Sequence, residues 1–102
     1  MAKFDKKYFI KKFSKIAEDK FTQGNMSMNG KHCAMGHCGV SVWKHTEESL
    51  ALTKLINPNY RLDELVVGGS INNANPVINL FDKLPSADVK ASFLKVLENL
   101  EE

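Results

Sequence analysis

Apolar residues recur at helical spacing near both ends of the chain and lose that rhythm in the middle. From residue 5 to residue 20 the spacing predicts an amphipathic helix. At about 100° per residue, Phe9, Ile10, Phe13, Ile16 and Ala17 share one arc, and Lys7, Lys11, Lys12 and Lys15 share the other. Phe4 and Tyr8 stand among the lysines. Lys6 and Lys20 lie on the apolar side, so their ammonium groups must reach water along their own methylene stems. At the far end Val89, Phe93, Val96, Leu97 and Leu100 form an i, i+4, i+7, i+8, i+11 stripe, and Ser86, just after Pro85, is the expected cap of that helix.

Between these ends the punctuation is dense. Gly24, Asn25, Ser27 and the pair Asn29-Gly30 are turn chemistry, and Asn-Gly favours a two-residue hairpin. A small β-ribbon near residues 24–32 and a plain loop both fit. The run CAMGHCGVSVW, Cys33 to Trp43, reads as a buried helix. Its Gly36 and Gly39 each lower helix propensity by about 1 kcal/mol relative to Ala, yet sit three apart on one side, where another backbone can approach. Thr46 is placed as an N-cap, with Glu47 and Glu48 in the first turn near the positive helix end. Leu50, Ala51, Leu52, Leu55 and Ile56 make the following helix apolar on most sides and therefore central, and Asn57-Pro58 stops it. Tyr60 to Val67 reads as a short helix or an extended segment, ended by Gly68-Gly69. Asn75-Pro76 supplies N-cap and first turn to a short helix bearing Val77, Ile78, Leu80, Phe81 and Leu84, which Pro85 ends. The expected fold is mainly α: one compact domain over residues 1–102, of four to five short helices with irregular central loops.

Composition narrows the picture. A chain of 102 residues suits one domain, and 43% hydrophobic with 25% charged residues predicts a packed core rather than disorder. No apolar run approaches the ~20 residues that cross a bilayer, and the lysine-bearing start lacks the core of a secretory signal. A cytoplasmic protein is expected, with Cys33 and Cys38 as thiols. On a helix these two would diverge by about 140°, which disfavours a bridge between them. The formal charge of +2 is too small to name a partner, but its distribution is uneven. Lys3, Lys6, Lys7, Lys11, Lys12, Lys15 and Lys20 face only Asp5, Glu18 and Asp19 in the first twenty residues, whereas Glu98, Glu101 and Glu102 close the chain.

The segment Cys33-Ala34-Met35-Gly36-His37-Cys38-Gly39-Val40 resembles a motif of small uncharacterised proteins of bacteria and phages. In that group a Cys-Ala-Leu-Gly-Ala-like helix follows an N-terminal amphipathic helix, an apolar-Asn-Asp motif comes later, and an amphipathic helix ends the chain. Cys33, Ala34, Gly36 and Gly39 match the first motif. Ile71-Asn72-Asn73 looks like the second, with Asn73 at the usual Asp. His37 and Cys38 stand where the group has small or apolar residues, and Ala74 to Pro85 looks like an insertion. The resemblance implies a compact helical domain and supplies no mechanism.

Chemistry-bearing residues concentrate in one place. His32, Cys33, His37, Cys38 and His45 gather three imidazoles and two thiols within fourteen positions, a donor set suited to zinc. On a helix, however, Cys33 and His37 share one face and Cys38 and His45 another, and a single C-x4-C matches no zinc-finger spacing. A cysteine nucleophile is the second candidate: Cys33 at a helix start, His32 or His37 as base, Asn72 or Asn73 to orient it. Gly68-Gly69-Ser70 lacks the G-x-x-x-x-G-K phosphate-loop pattern and reads as a turn. The lysine-rich first helix with Phe4 and Tyr8 suits nucleic acid in part, but Arg61 is the only arginine, and base-reading interfaces favour Arg. A membrane-surface role is disfavoured because the helix has its own apolar arc to bury. By elimination the expected function is a non-enzymatic protein-binding module of accessory or inhibitor type, by analogy with short phage proteins that act by contact. It would use Phe4, Lys7, Tyr8, Lys11 and Lys15, with no catalytic residue and no cofactor. The alternatives are a metal or thiol site at Cys33, His37, Cys38 and His45, and nucleic-acid binding through the lysine-rich helix.

Overall fold

Asp5 turns its carboxylate back to accept the Tyr8 backbone N–H at 2.8 Å, and this N-cap starts helix α1, Lys6–Ser14. The computed structural model describes residues 4–24, 27–28, 30–40, 43–60, 66–71 and 74–100. Phe9 and Phe13 of α1 are fully buried, as their spacing predicts. The helix is nevertheless shorter than the predicted 5–20. The Lys15 and Ile16 N–H groups bond the carbonyls of Lys12 and Phe13, tightening the last turn, and a single 3-10 turn at Glu18–Lys20 follows. Ile16 is only half-buried and Ala17 is exposed. The break has a packing reason. It swings Phe21 inward to within 6.3 Å of the Phe13 ring and 6.1 Å of the Phe81 ring, centroid to centroid.

The Asn-Gly signal resolves as the ribbon. Strands β1, Ser27–Met28, and β2, Lys31–His32, pair antiparallel with Ser27 opposite His32 and Met28 opposite Lys31. Gly30 supplies the left-handed residue between them at φ +82°. The Thr22 N–H donates to the His32 carbonyl at 3.1 Å and ties the ribbon to the chain leaving the 3-10 turn.

The predicted helix from Cys33 to Trp43 is reduced to one turn, α2, Ala34–His37. Gly39 decides this. Gly39 adopts φ +90° just past the helix, its N–H bonding Gly36 O at 3.0 Å while the Val40 N–H reaches Met35 O at 3.4 Å. That pair of bonds is a Schellman stop, which only a residue comfortable at positive φ can make. Trp43, beyond it, is a non-glycine residue at φ +59° and is 43% exposed. Its carbonyl accepts the Ile71 N–H, and His45 exchanges backbone bonds with Gly68 and Gly69 at 2.8 Å each, so residues 43–45 and 68–71 clasp each other.

Helix α3, Glu47–Ile56, begins at Thr46 as predicted, with a full capping box. The Thr46 hydroxyl also donates to Cys38 O at 2.7 Å, joining the end of α2 to the start of α3. The buried face of α3 is Ser49, Leu52 and Thr53, while Leu50, Ala51, Leu55 and Ile56 are half-buried. The helix is therefore less central than its apolar content suggests, and its inner line is partly polar. Helix α4, Pro76–Asp82, has Asn75 as N-cap and Pro76 in its first turn, as predicted. It packs against both α2 and α3. Val77 and Phe81 are fully buried, so the segment that departs from the resembled group's pattern is part of the core.

Ser86 does not cap the last helix. It opens a second 3-10 turn, Ser86–Asp88, and α5 runs Val89–Glu98. The Glu18 carboxylate caps α5 from a distance, accepting the Lys90 N–H at 3.2 Å. At the other end Lys6 Nζ donates to Leu100 O at 2.8 Å, so α1 and α5 lie antiparallel and Lys6 is half-buried along the seam. Val89, Phe93 and Leu97 are buried, and Val96 and Leu100 flank them half-buried. The fold is mainly α, with five helices and one short ribbon among the described residues. Most of the stretch predicted as helix or extended between Tyr60 and Val67, together with Asn72 and Asn73, lies outside the described residues.

Phe93 is fully buried and meets Phe13 and Phe81 edge-on at 5.2 and 5.3 Å. Phe93→Ala should cost about 3–5 kcal/mol, read from the shift of a urea transition at constant slope. A loss below about 1 kcal/mol would place α5 outside the cooperative core.

Candidate functional site

The five Cys and His residues that the sequence gathers are distributed by the fold over three environments. Cys33, the residue before α2, is buried. Burial raises its pKa and outweighs the backbone N–H groups of Gly36 and Met35, which favour thiolate. The helix-start activation expected of a nucleophile is therefore overridden by desolvation. Cys38 is more deeply desolvated, its pKa pushed up to about 12, in the field of Lys12 and Glu48. Both cysteines are free thiols.

His37 points away from Cys38, toward the 3-10 turn, with Nε2 2.9 Å from Lys20 O. Its ring lies edge-on to Phe21 at 4.8 Å and to His32 at 5.1 Å. Burial holds it below the ordinary 6.5, and the charges of His32 and Lys12 push the same way. His45 sits elsewhere, 4% exposed inside the clasp ahead of α3, also below 6.5 because of burial. Among the described residues no three His, Cys, Asp or Glu side chains are placed to share a metal ion. The structure thus does not bring Cys33, His37, Cys38 and His45 together.

It does bring together a buried polar chain that sequence reasoning missed. His45 Nδ1 lies 3.0 Å from Ser49 Oγ, the Thr53 hydroxyl donates to Ser49 O at 2.8 Å, and Asn75 Nδ2 donates to Thr53 Oγ1 at 3.2 Å. A serine hydroxyl beside an imidazole resembles a nucleophile and its base. Here the oxygen is committed to the capping box, accepting the Thr46 N–H at 2.8 Å and donating to Thr46 O, and Ser49 has no exposed surface. The chain is a structural bond between α3 and α4. The i, i+4 spacing of Ser49 and Thr53 among the leucines of α3 was its one legible sign.

The remaining candidate is the outer face of α1. Lys7, Lys11 and Lys15 recur every fourth residue and are exposed, and among the described residues no carboxylate pairs with them. Lys12 is different: half-buried, it bonds Glu48 of α3. Burial opposes the Lys12 charge, but the Glu48 bond and nearby negative charge hold its pKa above the usual value. Tyr8 belongs to the same knot, its pKa raised by burial and by its bond to Glu48. Phe4 and Tyr8 meet edge-on at 5.0 Å and pack half-buried against the core, so neither ring stands free among the lysines. Comparison with protein-family models, curated proteins and solved structures returned no match.

Two outcomes test these placements. His37 and His45 bind protons less readily folded than unfolded, so their contribution to stability is complete above about pH 6.5 and lost as pH falls through their lowered folded values. The urea midpoint should drop between about pH 7.5 and 5, and His45→Gln should flatten that drop. An equally steep drop in the variant would remove His45 as a source. Separately, protein purified without chelator should contain no stoichiometric zinc by elemental analysis. One equivalent that Cys33→Ser abolishes would restore the metal site.

Proposed function

We propose that the chain is a non-enzymatic binding module that docks an acidic protein surface through the exposed lysine edge of α1. The observation that supports this is the contrast between Lys12, drawn inward to Glu48, and Lys7, Lys11 and Lys15, left to solvent with no carboxylate opposite them among the described residues. Three ammonium groups on one face suit steering toward negative charge. Phe4 and Tyr8, half-buried at the same edge, add aromatic surface beside the lysines. The reading is of an accessory or inhibitor-type protein of the phage kind that the Cys33–Val40 motif resembles. Its setting is the cytoplasm, where free thiols such as Cys33 and Cys38 persist. No helix among the described residues is long and apolar enough to cross a membrane.

The test uses a Lys7→Glu, Lys11→Glu, Lys15→Glu triple variant, first shown by thermal melting to be folded. A protein captured by the parent and lost by the variant should rebind when both are pure, with an association rate that falls as salt rises. Anisotropy with mixed-sequence single- and double-stranded nucleic acid, at about 0.15 M salt, should show no submicromolar binding. Submicromolar nucleic-acid binding that the variant abolishes, or an unchanged set of captured proteins, would overturn the proposal.

A further inference from the structure

The β1–β2 ribbon meets the helical body at a histidine pair and at the backbone of Phe21 and Thr22, independently of the lysine edge. His32 ends the ribbon and His37 ends α2, and their rings stand 5.1 Å apart at 75°. Each is committed on the other side. His32 O accepts the Thr22 N–H, and His37 Nε2, facing a carbonyl, donates to Lys20 O. His32 Nδ1 is buried and has no hydrogen-bond partner among the described residues, so a proton placed on it meets no acceptor among them in the closed arrangement.

Burial and the charges around His37 oppose its protonated form, and only in part does the Lys20 carbonyl offset them. From α1 the group facing His37 is Lys12, from β2 it is His32, and the 3-10 turn presents a backbone carbonyl. Lys31 of β2 and the Lys20 ammonium are exposed and also basic. Phe21 and Phe13 complete the contact with hydrocarbon edges. Asp82 of α4 is turned to the Gly24 N–H at 3.0 Å.

We propose that His32 and His37 form an acid-sensitive latch: as the pair gains protons, the ribbon detaches from α2 and the 3-10 turn while the helices stay packed. Two adjacent imidazolium rings among basic neighbours repel each other, and the open ribbon hydrates both. Opening breaks the Thr22–His32 bond and the backbone bridge between Phe21 and His32. The device is local because the ribbon's ladder is only two residues long on each side, whereas the bonds of α1 and α5 do not run through it.

The experiment is native-state hydrogen exchange by NMR on the full chain, corrected for intrinsic rate, from pH 7.5 to 5.5. Protection of the Thr22 amide should fall about tenfold or more, since an opening that takes up one proton gains up to tenfold per pH unit. Leu97 in α5 should keep its protection. His32→Gln and His37→Gln should each abolish the Thr22 response, and His45→Gln should leave it. Should either glutamine variant fail to fold, His32→Phe and His37→Phe decide: each should leave the Thr22 protection unchanged between about pH 7.5 and 5.5. A Thr22 amide that is insensitive to pH, or that loses protection in step with Leu97, would overturn the latch.

Discussion

Four phenylalanine rings close a circuit through the core. Phe13 of α1 meets Phe93 of α5, Phe93 meets Phe81 of α4, Phe81 meets Phe21, and Phe21 returns to Phe13, with centroid separations from 5.2 to 6.3 Å. Each ring arrives from a different segment, so none of those segments can shift without opening the circuit. Aromatic pairs prefer edge-on or tilted contact at such distances, and interiors packed this densely tolerate little void. The early end of α1, the inward turn of Phe21 and the placement of α4 all follow from the need to bring these four rings together. Gln23, two residues past Phe21, reinforces the arrangement by donating to both Phe81 O and Leu84 O at 2.8 Å, which satisfies carbonyls at the end of α4.

A second, polar constraint runs beside the aromatic one. His45, Ser49, Thr53 and Asn75 are buried and bonded in series from the clasp through α3 to the start of α4. Burial of such groups is tolerable because the chain of bonds satisfies them. It also sets rotation: turning α3 by one residue would take Ser49 from His45 Nδ1 and Thr53 from Asn75 Nδ2. An apolar α3 face would allow several rotations, whereas this one specifies a single docking.

These two constraints explain why the candidate chemistry separates. Cys33, Cys38 and His45 are consumed by the interior, each disfavouring its charged form through burial. What remains available to a partner is the part of the molecule the core does not use, and on α1 that is the line of Lys7, Lys11 and Lys15. The knot of Lys12, Glu48 and Tyr8 ties α1 to α3 and keeps that line pointed outward.

Local signals were legible where one short-range physical rule governs. The Thr46 and Asn75 caps, Pro76 in a first turn and the burial of Phe9, Phe13, Phe93 and Leu97 all follow from hydrogen bonds or side-chain periodicity within a few residues, whereas the Asn29-Gly30 pair left ribbon and loop both open. The lysine line was equally visible, because exposure on a helix face depends on the same periodicity. Only the tertiary structure decided the rest. Phe21 outweighs helix propensity at Ile16 and Ala17 because its partners Phe81 and Phe13 are distant in sequence or beyond the break. Gly39, at positive φ, ends α2 in a Schellman stop. Ser86 yields the capping of α5 to Glu18, far away along the chain. Above all, the fold separates Cys33, His37, Cys38 and His45 while it brings His32 to His37, since proximity along the chain says nothing about the side of the core toward which each group turns.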